Sequence, residues 1–302
     1  MRLGTVIHAD RQIVVAATDS GLVDLTAACG FADMLTLIAN GALGLETARA
    51  ALDTAPRIKE TEVTFLAPLP RPEQLRDCLV FEEHLINAFA KAREMTGREF
   101  AIPPVWYDQP IYYKSNRFSV IGHGEDVRWP AYSNHMDLEL ELAIVIGKGG
   151  SDISLEDAPD HIFGYTIFND MTARDAQMAE MAGQLGPAKG KDFDTGNILG
   201  PYILTADEVP HPAALEMRVS VNGQPWGGGN ARDMRHDFAK IIAHISASET
   251  LHRGEVIGSG TVGTGCGLEL GRQLADGDLM ELTIQHIGTL SNRIIRARSR
   301  AG

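Results

Sequence analysis

A mixed α+β, strand-rich fold is predicted for this chain of 302 residues. Three observations carry that expectation. Short apolar runs of strand length recur with turn residues between them, and the Asn222-Gly223 pair that follows Val219 to Val221 is the strongest short hairpin signal in the chain. Helical spacing of apolar residues is confined to a few separated stretches. Glycine is abundant, with 31 residues, and it is the residue that tight turns and close backbone approaches tolerate.

Taken in order, Thr5 to Ile7 and Gln12 to Ala17 flank Ala9-Asp10-Arg11 and read as a hairpin. Phe31 to Ala39 has helical spacing through Phe31, Met34, Leu35 and Ile38, and stops at Asn40-Gly41. Leu66 to Pro72 holds three prolines in seven residues, a stiff segment poor at regular structure. It divides the chain into a small N-terminal domain, 1–72, and a larger one, 73–302. There the spacing predicts a helix over His84 to Thr96, a long loop over Ile102 to His135, and a strand over Leu138 to Ile146. A short strand ends at Asn169-Asp170, with a helix-like segment from Thr172. His236 to Thr250 carries the stripe Phe238, Ile241, Ile242 and Ile245, and the last strand, Leu279 to Ile287, follows Asp276-Gly277-Asp278. The four arginines among residues 293 to 300 read as a solvated basic terminus.

Composition excludes several classes. With 27 Lys+Arg against 40 Asp+Glu, the net charge of −13 argues against nucleic acid and anionic membrane surfaces, both of which favour a basic face. No apolar run approaches the roughly 18 to 20 residues of a membrane span, and the N-terminus has no apolar signal region, so a cytoplasmic protein is expected. Cys29, Cys78 and Cys266 form no CxxC pair, and the 10 histidines form no HExxH. Any metal site is therefore a carboxylate one.

Three constellations carry chemistry. In a strand, Glu139 and Glu141 share one face of a run that continues into the wholly apolar Ala143 to Ile146. Two carboxylates on a strand that becomes buried need a cation or a proton, and hard divalent cations are the natural compensation; the alternative is a solvated strand face. Asp170, at the end of its strand, adds a third carboxylate, or else caps the helix that follows and pairs with Arg174. His84 stands between Asp77 and Arg93, and Glu269 in the glycine-rich stretch Ser259 to Leu270 offers it a partner; the histidine alone reads equally as surface or packing. The glycine run does not follow a dinucleotide-binding pattern.

Read together, DLELELAIVIG, HIFGYTIFNDMTARDAQ, LGPAKGKDF and SGTVGTG, in this order, resemble the fumarylacetoacetate hydrolase family from about residue 73 to residue 290. The resemblance implies a β-roll or barrel-like catalytic domain behind a small N-terminal domain, and a homodimer. It implies one divalent metal, Mg²⁺ or Mn²⁺ (Ca²⁺ in some members), on Glu139, Glu141 and Asp170. Asp77, seven residues before His84 as in the fumarylacetoacetase branch, joins as a further ligand. His84 is implied as catalytic base with Glu269 as its partner, while the acylpyruvase branch would place a glutamate where this chain has Asn87. Arg93, Gln177, Lys191 and Thr261 fall at substrate-binding or supporting positions, and Leu79 stands where that branch has a substrate-binding tyrosine. Lys114 and Arg117 in the long loop are read either as substrate contacts or as solvated charges, and His135 as a neighbour of the metal strand or a structural residue.

The implied activity is hydrolysis of a carbon–carbon bond in a β-diketo acid, acylpyruvate or fumarylacetoacetate-like, through a His-activated water and a metal-stabilised enolate. The alternative on the same fold is a decarboxylase, hydratase or isomerase of 2-oxo acids in aromatic catabolism.

Overall fold

The computed structural model describes residues 1–296. Arg298 and Arg300 of the expected basic terminus lie outside them, whereas Arg293 and Arg296 belong to a strand.

The chain opens with a meander, β1 (Arg2–His8), β2 (Arg11–Thr18) and β3 (Gly21–Asp24), followed by α1 (Leu25–Cys29), α2 (Met34–Ala39) and α3 (Gly41–Leu52). Ala9 and Asp10 take positive φ in the first turn, as the hairpin reading requires. Asn40-Gly41 ends α2, but the chain starts α3 at once instead of leaving the helical region: Asn40 is itself helical, and Gly41 has φ 54°. Two short strands, β4 (Arg57–Ile58) and β5 (Thr64–Phe65), precede the proline-rich passage.

Beyond it come β6 (Leu75–Cys78), α4 (Glu82–Thr96), α5 (Pro104–Asp108), β7 (Tyr112–Ser115), β8 (Val120–Ile121) and β9 (Val127–Trp129). The stretch from Ile102 to His135 is therefore not the loop expected. Its short strands pair with distant partners, β7 with β6, β8 with residues 197–198 and β9 with residues 294–296, so no local periodicity announces them. The acidic run splits into β10 (Met136–Asp137) and β11 (Leu140–Ile146). Leu138 and Glu139 leave the ladder because their N–H groups donate to the side chains of Asp137 and Asn169.

The remaining elements are β12 (Ile162–Asp170), β13 (Thr172–Ala173), α6 (Arg174–Met181), α7 (Ala188–Lys191), β14 (Asn197–Thr205), β15 (Glu216–Val221), β16 (Gln224–Asn230), α8 (Phe238–Ser246), β17 (Val256–Gly258), α9 (Gly267–Leu270), β18 (Leu279–Ile284) and β19 (Gly288–Arg296). Asn222-Gly223 makes the β15–β16 turn, both residues with positive φ. α8 begins at its Asp237 cap and is shorter than the periodicity predicts. The final strand expected over Leu279 to Ile287 is instead a hairpin: His286 takes φ 67° and the chain returns as β19.

Twelve strands form one sheet in the order β4-β3-β2-β1-β14-β12-β11-β17-β6-β7, with β5 on β1 and β8 on β14. The N-terminal meander joins it where β1 pairs antiparallel with β14. A second sheet of five strands, β16-β15-β18-β19-β9, is not hydrogen-bonded to it but shares its larger core. On β11, Leu140, Leu142, Ile144 and Ile146 pack into the larger core with β15, β18 and α8, while Ala143 and Val145 pack with Phe168 and Leu75 beneath α2 and the meander. This alternation, apolar on both faces, is what a central strand needs. It leaves the polar residues at the end of the strand as the only ones that require compensation.

Candidate active site

The sheet brings three carboxylates to one place. β12, β11, β17 and β6 are successive neighbours, with Glu141 opposite Phe168, Ala143 opposite Gly258 and Gly258 opposite Asp77. Cross-strand partners and alternate residues share a face. Asp77, Glu141 and Asp170 therefore converge, and a ligand oxygen from each lies within 4.8 Å of the others. All three residues are buried. Gly258 leaves room for them, since a Cβ there would stand 2.6 Å from Glu141 Oε2 and 2.7 Å from Asp77 Oδ1. The Gly260 N–H donates to both of those oxygens, at 3.0 and 3.2 Å.

Burial pushes all three carboxyls up: Asp77 above its ordinary value, Glu141 well above and Asp170 to about 7. Neighbouring carboxylates add to the rise at Glu141, while Lys191 opposes it at Asp170. Glu141 Oε1 and Asp170 Oδ1 are buried and accept no hydrogen bond. Oxygen donors that are close, buried and in part unpartnered suit a hard divalent cation. The residues present fit such an ion.

Glu139 is held differently. Arg174 Nη2 lies 2.7 Å from its Oε1, and Lys191 Nζ bonds its Oε2. Burial alone would raise this carboxyl, but Arg174 and then Lys191 hold it well below the carboxylate range, with a further contribution from His84. Lys191 also reaches Asp170 Oδ2 at 2.6 Å and Thr172 Oγ1 at 2.6 Å, so its ammonium joins Glu139 to the acidic cluster.

His84 sits in the first turn of α4, and its Nδ1 is 2.7 Å from Glu269 Oε1. The carboxylate of Glu269 is fixed from every side. Oε2 accepts from Asn87 Nδ2 at 3.0 Å and Thr264 N at 2.8 Å, and Oε1 also accepts from Cys266 Sγ at 3.3 Å. Asn87, the departure from the acylpyruvase pattern, here steadies the glutamate supplied by α9. Asp137 caps that short helix, accepting from Gly267 N at 2.7 Å and Leu268 N at 2.8 Å.

The other anticipated residues divide. Gln177 accepts from Arg174 Nη1 at 3.2 Å, and Thr261 is buried beside Gly260. Arg93 is not brought to the cluster: its side chain is 57% exposed and pairs with Glu99. Lys114 pairs with Glu249, and Arg117 donates to the Pro72 carbonyl and stacks on Phe118. His135 contributes its carbonyl to Arg174 N, and its Nε2 is buried without a partner. Arg174 does not pair with Asp170; it turns to Asp137 and Glu139. Sequence reasoning missed Tyr113, whose hydroxyl donates to Asp170 Oδ2, and the roles of Asp137, Gly258 and Gly260. Asp137, next to the acidic run, carried a signal; Tyr113, on a short strand with a distant partner, carried none.

Residues 83–295 match the fumarylacetoacetate (FAA) hydrolase C-terminal family. The oxaloacetate tautomerase of Bacillus subtilis is 36% identical over 238 residues, 78% of this chain and 74% of its own. The mitochondrial oxaloacetate tautomerase of Homo sapiens is 33% identical over 264 residues, 87% of this chain and 79% of its own. Among solved structures, a fumarylacetoacetate hydrolase from Exiguobacterium antarcticum superposes with TM-score 0.81 at 28% identity, covering 98% of this chain and 100% of that one. A maleylpyruvate hydrolase from Sphingobium sp. SYK-6, in complex with manganese(II) and pyruvate, gives 0.79 at 26%, covering 99% and 100%. No helix among the described residues is long and apolar enough to cross a membrane. A strand-rich sheet that gathers three acids, a His–Glu pair on two helices beside them, and a match across more than two thirds of the chain make this protein an enzyme of the fumarylacetoacetate hydrolase family.

Proposed function

We propose that this enzyme catalyses proton transfer at the carbon beside the carbonyl of a short 2-oxo acid, a keto–enol tautomerisation of the oxaloacetate type, with a divalent cation, Mg²⁺ or Mn²⁺. The observation that carries the reading is the 2.7 Å contact of His84 Nδ1 with a fully hydrogen-bonded Glu269, next to the carboxylate cluster. With Nδ1–H donated to Glu269, Nε2 is the basic nitrogen and accepts the substrate proton. Glu269 fixes the ring and stabilises the imidazolium. Asp77, Glu141 and Asp170, with Glu139 beside them, would hold the cation. When bound, that ion supplies Lewis-acid polarisation of the 2-oxo carboxylate and charge stabilisation for an enolate. Lys191, with Arg174, keeps Glu139 ionised and opposes the burial-driven rise at Asp170, and Gln177 steadies Arg174. The tautomerases at 33% and 36% identity support this choice of reaction.

The second reading is hydrolysis of an acylpyruvate. The same base can take a proton from water, and the maleylpyruvate hydrolase fold favours it. Either reading belongs to a homodimer in the cytoplasm, a part that light scattering of the purified protein tests for its oligomeric state.

A substrate panel separates the two. Metal-dependent, EDTA-sensitive acceleration of enol-oxaloacetate ketonisation is expected. Cleavage of acetylpyruvate or fumarylpyruvate without that acceleration would replace the first reading with the second, and neither activity would overturn both.

A further inference from the structure

We propose that His84, Cys266 and Glu269 form a second cation site, one for a borderline or soft divalent ion such as Zn²⁺, and that its occupation silences the enzyme. The silencing, though not the site, rests on the role given above to the His84–Glu269 pair.

One ligand atom from each residue lies within 4.8 Å of the others, and all three residues are buried. Glu269 Oε1 is the shared corner, 2.7 Å from His84 Nδ1 and 3.3 Å from Cys266 Sγ. The other oxygen is occupied by Asn87 and Thr264, so Oε1 is the one turned toward the ring nitrogen and the thiol. Zinc lies about 2.3 Å from sulfur and about 2.0–2.2 Å from nitrogen or oxygen, which sets tetrahedral ligand separations of roughly 3.3–3.7 Å. The Cys–Glu contact of 3.3 Å is within about 0.3 Å of the sulfur–oxygen separation, and the His–Glu contact of 2.7 Å reaches the nitrogen–oxygen one by opening about 0.6 Å. Three protein ligands leave a fourth position for water.

The two clusters differ in chemical softness. Asp77, Glu141 and Asp170 offer oxygen only, which suits hard cations, whereas sulfur with imidazole selects zinc and its heavier analogues. Binding expels the thiol proton to solvent and shifts the ring proton from Nδ1 to Nε2, where it occupies the basic nitrogen, and no electron is transferred. It also removes the Glu269 oxygen that orients the ring, so the histidine can no longer serve as base.

Cadmium reports on such a site without reference to turnover, through its thiolate charge-transfer absorption. Full-length protein saturated with Mg²⁺ is titrated with Cd²⁺. One equivalent is expected to produce the band in the wild type and in C29S, and none is expected in C266S. E269Q, which keeps the thiol, is expected to bind Cd²⁺ at least tenfold more weakly and serves if C266S does not fold. In parallel, Zn²⁺ is expected to inhibit the wild type at least tenfold more strongly than C266S, each measured against its own uninhibited rate. No band in the wild type, or a band retained in C266S, overturns the site whatever the substrate proves to be. Equal zinc inhibition of wild type and C266S, with the band present, overturns the silencing.

Discussion

Asp137 ties Arg174 to the helix that carries Glu269. Its Oδ2 accepts from Arg174 Nε at 2.9 Å and Nη2 at 2.7 Å, and both of its oxygens accept N–H groups at the start of α9. Arg174 in turn reaches Glu139, so a buried chain of charge-assisted bonds runs from the acidic cluster to the His84–Glu269 pair. The two halves of the site are thereby held in one geometry.

Replacing Asp137 tests that coupling. In D137A, Arg174 loses one of its two buried carboxylates and α9 loses its cap, and breaking a buried pair from one side costs about 3–5 kcal/mol. Denaturant unfolding of the variant should show a loss of this size. D137N, which keeps an acceptor for Gly267, should retain more stability yet turn over about 10–100-fold more slowly, the usual effect of disturbing a supporting contact.

The carboxylate cluster makes a signed prediction about pH. Asp170 titrates near 7 in the folded protein against an ordinary 3.8, so its contribution is fully present below 3.8 and is lost as pH rises through about 7. Asp77 and Glu141 shift in the same direction. Glu139 shifts oppositely, and its contribution is lost only on acidification below its ordinary 4.5, outside this window. A divalent cation binds the ionised forms. The Tm of EDTA-treated protein should therefore fall between about pH 5 and pH 8, and the gap to Mg²⁺- or Mn²⁺-loaded protein should widen. A gap that stays constant across this range would contradict the assignment.

Gly258 offers a steric test. In G258A the new methyl would meet Glu141 Oε2 at 2.6 Å, Asp77 Oδ1 at 2.7 Å and Phe168 Cδ1 at 2.7 Å. Overpacking of this kind costs about 1–3 kcal/mol. Calorimetric titration should show metal affinity falling by at least tenfold in protein that remains folded.

Lys191 supplies the positive charge shared by Glu139 and Asp170. K191M leaves them with one cation fewer, at a cost of about 3–5 kcal/mol for an uncompensated buried charge. Melting curves should show a lower Tm than wild type without metal, and a larger recovery than wild type when Mn²⁺ is added.

Much of this site was legible because β11 and β12 are regular. A strand with alternating acids that becomes wholly apolar points to buried carboxylates but left a solvated face and a helix cap open; the family resemblance chose between them, and Glu141 and Asp170 do meet. The placement of Glu139 was less legible, since side chains of Asp137 and Asn169 break the ladder beside it and Lys191 comes from a helix more than fifty residues away in sequence. Tyr113 and the strands between Ile102 and His135 were hidden because their pairing partners are remote. Asp77 and Glu269 were singled out around His84, but their roles as metal ligand and histidine partner entered through family resemblance; nothing in the local sequence brings either of them to its partners. Arg93 entered in the same way, and the structure turns it outward toward Glu99.

The measurement that bears most directly on the account is ketonisation of enol-oxaloacetate by wild type and H84A, each saturated with Mn²⁺ and each with its metal content determined. The account predicts that H84A binds the ion as the wild type does and loses at least a hundredfold in kcat, because removing a general base removes about 10²–10⁴-fold in rate. H84A turning over at the wild-type rate, with metal bound, would contradict it.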